Sequence, residues 1–142
     1  MSESKTVIER FRTNFAWTEK LSELSDIVWL KPIAEGKAST AEIIAHLMRW
    51  DRYLITDVIP TVQSGGDIAF PDFDAFNAEA YKYAKSGVSK GQLLDELRAT
   101  REELCELLLA ADDDTRGKAL PIIVDFIDHD NHHKSQIEGA IQ

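Results

Sequence analysis

Three histidines are the residues of this sequence whose type and spacing could do chemistry. His129 and His133 sit four residues apart, and His46 lies far upstream. On a helix, residues four apart stack on one face with Cβ atoms roughly 5–6 Å apart, so two such imidazoles can close on one metal ion. A third imidazole from a neighbouring helix would complete a three-histidine set. Three protein ligands leave coordination positions open, which a catalytic site requires and a structural zinc site does not. Such a set suits Zn²⁺ or Ni²⁺, and also copper or iron. The bland alternative is three histidines at the edge of a core, satisfied by hydrogen bonds.

Neighbouring residues sharpen the choice. His132 is rotated about 100° from His133 around a helix, toward Asp125 and Asp128, and is expected on the outer face. Gln136 follows His133 by three residues and is expected beside the ion, bonding a ligand or bound water, or else as a partly exposed polar residue. Trp50 and Tyr53 follow His46 by four and seven residues. They read as core aromatics by default, with the wall of an organic-substrate pocket as the sharper option. Asp51 can support a ligating histidine or be a solvated charge. Cys105 has no histidine or basic neighbour in sequence and reads as a small packing residue. No nucleophile elbow, phosphate-binding loop or dinucleotide fingerprint is present.

The elements that must position these residues are helices. The apolar pattern recurs with a period of about 3.6 residues, with no convincing alternating strand and no internal repeat. A first helix is expected over about residues 4–24, followed by a connection from Asp26 to Lys37 that holds Pro32 and Gly36. A second opens on the capping box Ser39-Thr40-Ala41-Glu42, carries His46 and Trp50, and ends or kinks at Pro60. Residues 63–73 read as a loop and Asp74 to about Tyr83 as a short helix. A third long helix starts near Ser89. A polar turn over residues 112–117 leads to a fourth helix from about Leu120 to the C-terminus, with Pro121 in its first turn. On it, Ile122, Phe126, His129, His133, Ile137 and Ala140 share a stripe. The expected architecture is all-α: a four-helix bundle with a longer crossover containing a short extra helix, in a single domain over residues 1–142.

Composition narrows the function classes. The chain has 142 residues, 44% hydrophobic and 29% charged, with a formal net charge of −9. An acidic chain without a Lys/Arg cluster disfavours nucleic acid. No apolar run reaches membrane-span length, and the polar N-terminus lacks an apolar signal region. One cysteine excludes an internal disulfide. Together these point to the cytoplasm and to no membrane partner.

Ser39-x-x-Glu42-Ile43-Ile44-Ala45-His46-Leu47 followed by Trp50-Asp51 resembles the second helix of the DinB-like superfamily. His129-Asp130-Asn131-His132-His133-x-x-Gln136-Ile137 resembles its fourth helix, and Phe73-Asp74-x-Phe76-Asn77 a recurring segment between them. One departure is Ala38, where many members carry a tryptophan. The resemblance spans essentially the whole chain. It implies a four-helix bundle, commonly dimeric, with a divalent metal on His46, His129 and His133. The superfamily includes bacillithiol S-transferases and mycothiol-dependent maleylpyruvate isomerases, alongside many members without an established activity.

The expectation is therefore a divalent-metal-dependent enzyme of S-transferase-like type. It would activate a low-molecular-weight thiol, or a water as the hydrolytic variant, toward a small electrophilic substrate. The alternative is a non-catalytic metal- or ligand-binding bundle, or a dimerising one of the stress-response type. The identity of any catalytic residue beyond the metal ligands is left open.

Overall fold

The computed structural model describes residues 2–141, with side chains for residues 3–140. Among them, regular structure is helical, with one isolated antiparallel bridge between Pro32 and Ser39. The α-helices are α1 (Ser2–Thr13), α2 (Asp26–Leu30), α3 (Thr40–Tyr53), α4 (Ile59–Gln63), α5 (Phe73–Ala84), α6 (Lys90–Ala110) and α7 (Asp113–Ile141). A 3₁₀ helix occupies Ala16–Glu23, and a π-helical turn, Leu54–Val58, joins α3 to α4 without a break. The helices thus outnumber the four long ones and one short one expected from sequence.

The expected first helix is two. The Phe11 carbonyl, which a continuing α-helix would give to the Phe15 amide, accepts here from Asn14 N and, at 2.9 Å, from Arg101 Nη1. Beyond it the chain tightens to about three residues per turn, which brings Thr18 and Leu21 to one buried face. The connection after it contains α2, capped by Ser25, whose hydroxyl accepts from Val28 N at 3.2 Å. This one turn seats Trp29 in the core while Ile27, Val28 and Leu30 stay exposed.

Helix α3 is buried on almost every side and forms the centre of the molecule. Its start is fixed by the reciprocal box: Glu42 N donates to Ser39 Oγ at 3.1 Å, and Ser39 N to Glu42 Oε1 at 2.9 Å. The helix does not end at Pro60. Proline has no N–H to give and its ring crowds the carbonyl four residues back. The preceding turn widens, the Ile59 amide reaching back to Leu54 O, and the helix runs on to Gln63.

Helix α7 starts seven residues earlier than expected, because Asp112 supplies a cap: its Oδ1 accepts from Thr115 N at 2.8 Å. Pro121 therefore lies inside the helix rather than in its first turn. The carbonyl it leaves without a donor belongs to Gly117. Both residues are exposed, so water can satisfy that oxygen.

Helix α3 packs on α5 and α6, α1 on α6 and α7, and α4 on α7. Two apolar clusters result. One gathers Trp29, Ile44, Leu47, Leu93, Leu97 and Ile137. The other gathers Ile8, Phe11, Leu54, Leu104, Ile123 and Ile127. Buried and half-buried polar residues of α3, α6 and α7 lie beside these clusters: His46 and Asp51, Arg101, and His129, Asp130 and His133. This polar layer contains the candidate site.

Candidate metal centre

The buried side of the polar layer is an ionic knot. Arg101, 0% exposed, donates through Nε to Asp51 Oδ2 at 2.7 Å and through Nη1 to Asp130 Oδ2 at 3.0 Å. Its guanidinium carbon lies 3.8 Å from the Phe11 ring centroid. Burial alone would weaken its charge, but the two carboxylates outweigh it and keep it charged. Burial pushes Asp51 up, to about 6, with Arg101 opposing and Asp130 adding to the rise. Asp51 is thus no solvated charge. Its carboxylate is spent on Arg101, and no hydrogen bond joins it to a histidine among the described residues.

The other side of the layer is three imidazoles. The structure brings His46 from α3 together with His129 and His133 from α7. His46 Nε2 lies 3.1 Å from His129 Nε2, and His133 Nε2 lies 3.0 Å from the same atom. One ring nitrogen of each lies within 4.8 Å of the others. Tetrahedral ligands with bonds of 2.0–2.1 Å stand about 3.3 Å apart, so the spacing is that of a ligand set. His132 is exposed and outside the group, its ring 5.5 Å from that of His133.

The outer nitrogens show which atoms face inward. His46 Nδ1 lies 2.7 Å from Asn77 Oδ1, and Trp50 Nε1 donates to the same oxygen at 2.9 Å. An amide oxygen only accepts, so His46 carries its proton on Nδ1 and turns a lone pair inward on Nε2. His133 Nδ1 lies 2.8 Å from Gln136 Oε1, which fixes the same tautomer there. His129 Nε2 can donate to one neighbour at most. At least one pair of lone pairs therefore stays face to face at about 3 Å, a contact that a cation between them relieves. Protons are poor candidates for that cation. Burial, then the neighbouring His133, holds His46 down at about 4. Burial and the other histidines hold His129 at about 3, and burial lowers His133 as well. The imidazoles are thus neutral and ready to ligate near pH 7.

An apolar cavity of about 350 Å³ opens beside the histidines, lined by His46, His129, Trp50, Asn77, Phe70, Phe73, Ile122, Asp125 and Phe126. Trp50 forms part of its wall, stacked on Phe76 with centroids 4.1 Å apart. Tyr53 stands behind it: its ring packs on Trp50, and its hydroxyl donates to Ala69 O at 2.5 Å, tying down the loop that carries Phe70. Cys105 is buried away from the cavity, where burial pushes the thiol up to about 12, so it is no nucleophile.

Sequence reasoning missed three residues of this layer. Asn77 lay in a recognised segment, but nothing in its spacing links it to His46, thirty-one residues away. Arg101 reads as one of several charges on α6, and Asp130 as a polar neighbour of His129. The available signal for Arg101 was its register with Leu97 and Leu104 on the apolar stripe.

An all-helical protein with three inward-facing histidines on two helices, beside an apolar cavity, is one whose residues could hold a metal ion. The family model of the DinB superfamily matches residues 8–137, and the chain belongs to that superfamily. Members of the superfamily are typically metal-binding. No curated protein and no solved structure matches the chain. Among the described residues, no helix is long and apolar enough to cross a membrane.

Proposed function

We propose that the protein is a divalent-metal-dependent enzyme that activates a low-molecular-weight thiol, or a water, toward a small electrophile held in the apolar cavity. The observation that carries this reading is the convergence of three neutral imidazoles, two of which, His46 and His133, have their outer nitrogens engaged by Asn77 and Gln136. His46, His129 and His133 would hold the ion, with Zn²⁺ or Ni²⁺ suited to such a donor set. Bound there, it would supply Lewis-acid chemistry that lowers the proton affinity of a thiol or water beside it. Asn77 and Gln136 keep the ligating lone pairs aimed inward and raise the basicity of their rings. Trp50, Phe70, Phe73 and Phe126 give the reacting side an apolar wall.

The architecture is read as one domain, a four-helix bundle of α1, α3 continued by α4, α6 and α7, with the other helices as insertions. A homodimer in the cytoplasm is the assembly and place proposed, and sedimentation as a monomer at high micromolar concentration would contradict the dimer.

Metal analysis of untagged protein, followed by a thiol-conjugation screen against varied electrophiles, tests the function. His133→Ala is expected to lose the ion and any turnover while keeping the helical circular dichroism, because the apolar clusters hold the fold. His132→Ala is expected to keep the ion. Equal metal loss in both would overturn the ligand assignment. A metal-loaded protein inert toward thiols, electrophiles and hydrolysable substrates would favour a non-catalytic metal-binding bundle.

A further inference from the structure

The cavity beside the histidines has a charge pattern that selects its occupant. Four aromatic rings, Trp50, Phe70, Phe73 and Phe126, line it, and Asp125 is the charged residue among the lining. No lysine or arginine lines it. The Asp125 side chain has no hydrogen bond or ion pair among the described residues. It stands one helical turn before His129 on α7, and both reach the same cavity, so the carboxylate lies roughly one turn from the imidazoles. The rings of Phe70 and Phe73, 42% and 59% exposed, leave the cavity open to a ligand from solvent.

We propose that the small molecule this cavity takes carries an ammonium group for recognition, its apolar body lying between the rings and the ammonium against Asp125. The proposal rests on reading the cavity as the substrate side of the histidine centre. An ammonium is attracted both by a carboxylate and by the negative faces of aromatic rings. A carboxylate-bearing ligand of the same size meets neither a guanidinium nor an ammonium on these walls, and Asp125 repels it. A neutral ligand gains the apolar contacts alone. Asp125 is thus a specificity-determining residue that discriminates by charge, one turn from the centre and outside the ligand set.

The test is isothermal titration of 2-phenylethylamine, 2-phenylethanol and 3-phenylpropionate into the protein, as purified and after treatment with a chelator. The chelator-treated form separates the cavity walls from an ion that would itself attract anions. There the amine is expected to bind ~10-fold or more tighter than the carboxylate, the scale of one cation–aromatic and one carboxylate contact. Asp125→Asn is expected to weaken the amine by a similar factor and to leave the alcohol nearly unchanged. Carboxylate binding as tight as that of the amine, an amine preference that survives Asp125→Asn, or no amine binding at millimolar concentration would each overturn the proposal. Metal content, read on the same samples, tests the histidine centre separately: its absence sinks the proposed function and leaves the charge preference standing.

Discussion

At the scale of single residues, Asn77 holds the site together. One amide oxygen accepts from a ligand candidate, His46, and from a cavity wall, Trp50. Asn77→Leu would leave two buried N–H groups without an acceptor and free His46 to move its proton to Nε2, where it would block ligation. Metal affinity, measured against a competing chelator, is expected to fall ~10–100-fold, with the three histidines intact. Asn77→Asp keeps an acceptor in place and should retain the ion. Affinity unchanged in Asn77→Leu would mean that His46 is not held by this bond or is not a ligand. The His129/His133 pair and His46 were legible in the sequence because a helix makes spacing into geometry. Asn77 was not, because its partnership is created by the packing of α5 on α3, and no local pattern records which residue of one helix meets which of another.

At the scale of elements, the same distinction runs through the fold. The start of α3 was readable because a capping box is a local bargain between Ser39 and Glu42. The break after Thr13 was not: part of its cause is Arg101, ninety residues away, taking the Phe11 carbonyl. Pro60 marks an end or a kink in the sequence, and of the two the structure shows no end: α3 is held on so many sides that the helix widens ahead of the ring and continues. The connection holding α2 hid a turn of helix because its single buried residue, Trp29, gives no periodicity. Arg101 is the element-level tie, joining α1, α3, α6 and α7 through one guanidinium. Arg101→Met would leave Asp51 and Asp130 buried beside each other without a cation, with only Asn14 still donating to Asp130, costing about 3–5 kcal/mol by the usual cost of breaking a buried pair. The urea midpoint should fall accordingly. Replacing Asp51, Arg101 and Asp130 together by apolar residues of similar volume should recover most of the loss. If Arg101→Met alone is neutral, the knot contributes nothing to the positions of α3 and α7.

For the whole molecule, the buried imidazoles make stability depend on pH. In the unfolded chain each takes up a proton near pH 6.5, but in the folded, metal-free protein His46 does so only near 4 and His129 only near 3. Between about pH 4 and 6.5 the unfolded state therefore binds more protons, so stability rises with pH and is lost on acidification. Asp51 works the other way. Its folded carboxyl keeps a proton up to about 6, against 3.8 when unfolded, so across much of that window it lowers stability as pH rises. Two histidines with large downward shifts outweigh one carboxyl with a smaller upward one, and the net slope should be positive. Urea unfolding of chelator-treated protein at a series of pH values across this window reads it directly. His129→Gln, which removes the most depressed imidazole, should flatten the curve. With a divalent ion present the slope should steepen, because the ion binds only the unprotonated imidazoles of the folded state and protons compete with it as the pH falls. A metal-free midpoint that declines as pH rises through this window, or one indifferent to His129→Gln, would show that the three imidazoles are not held neutral by burial.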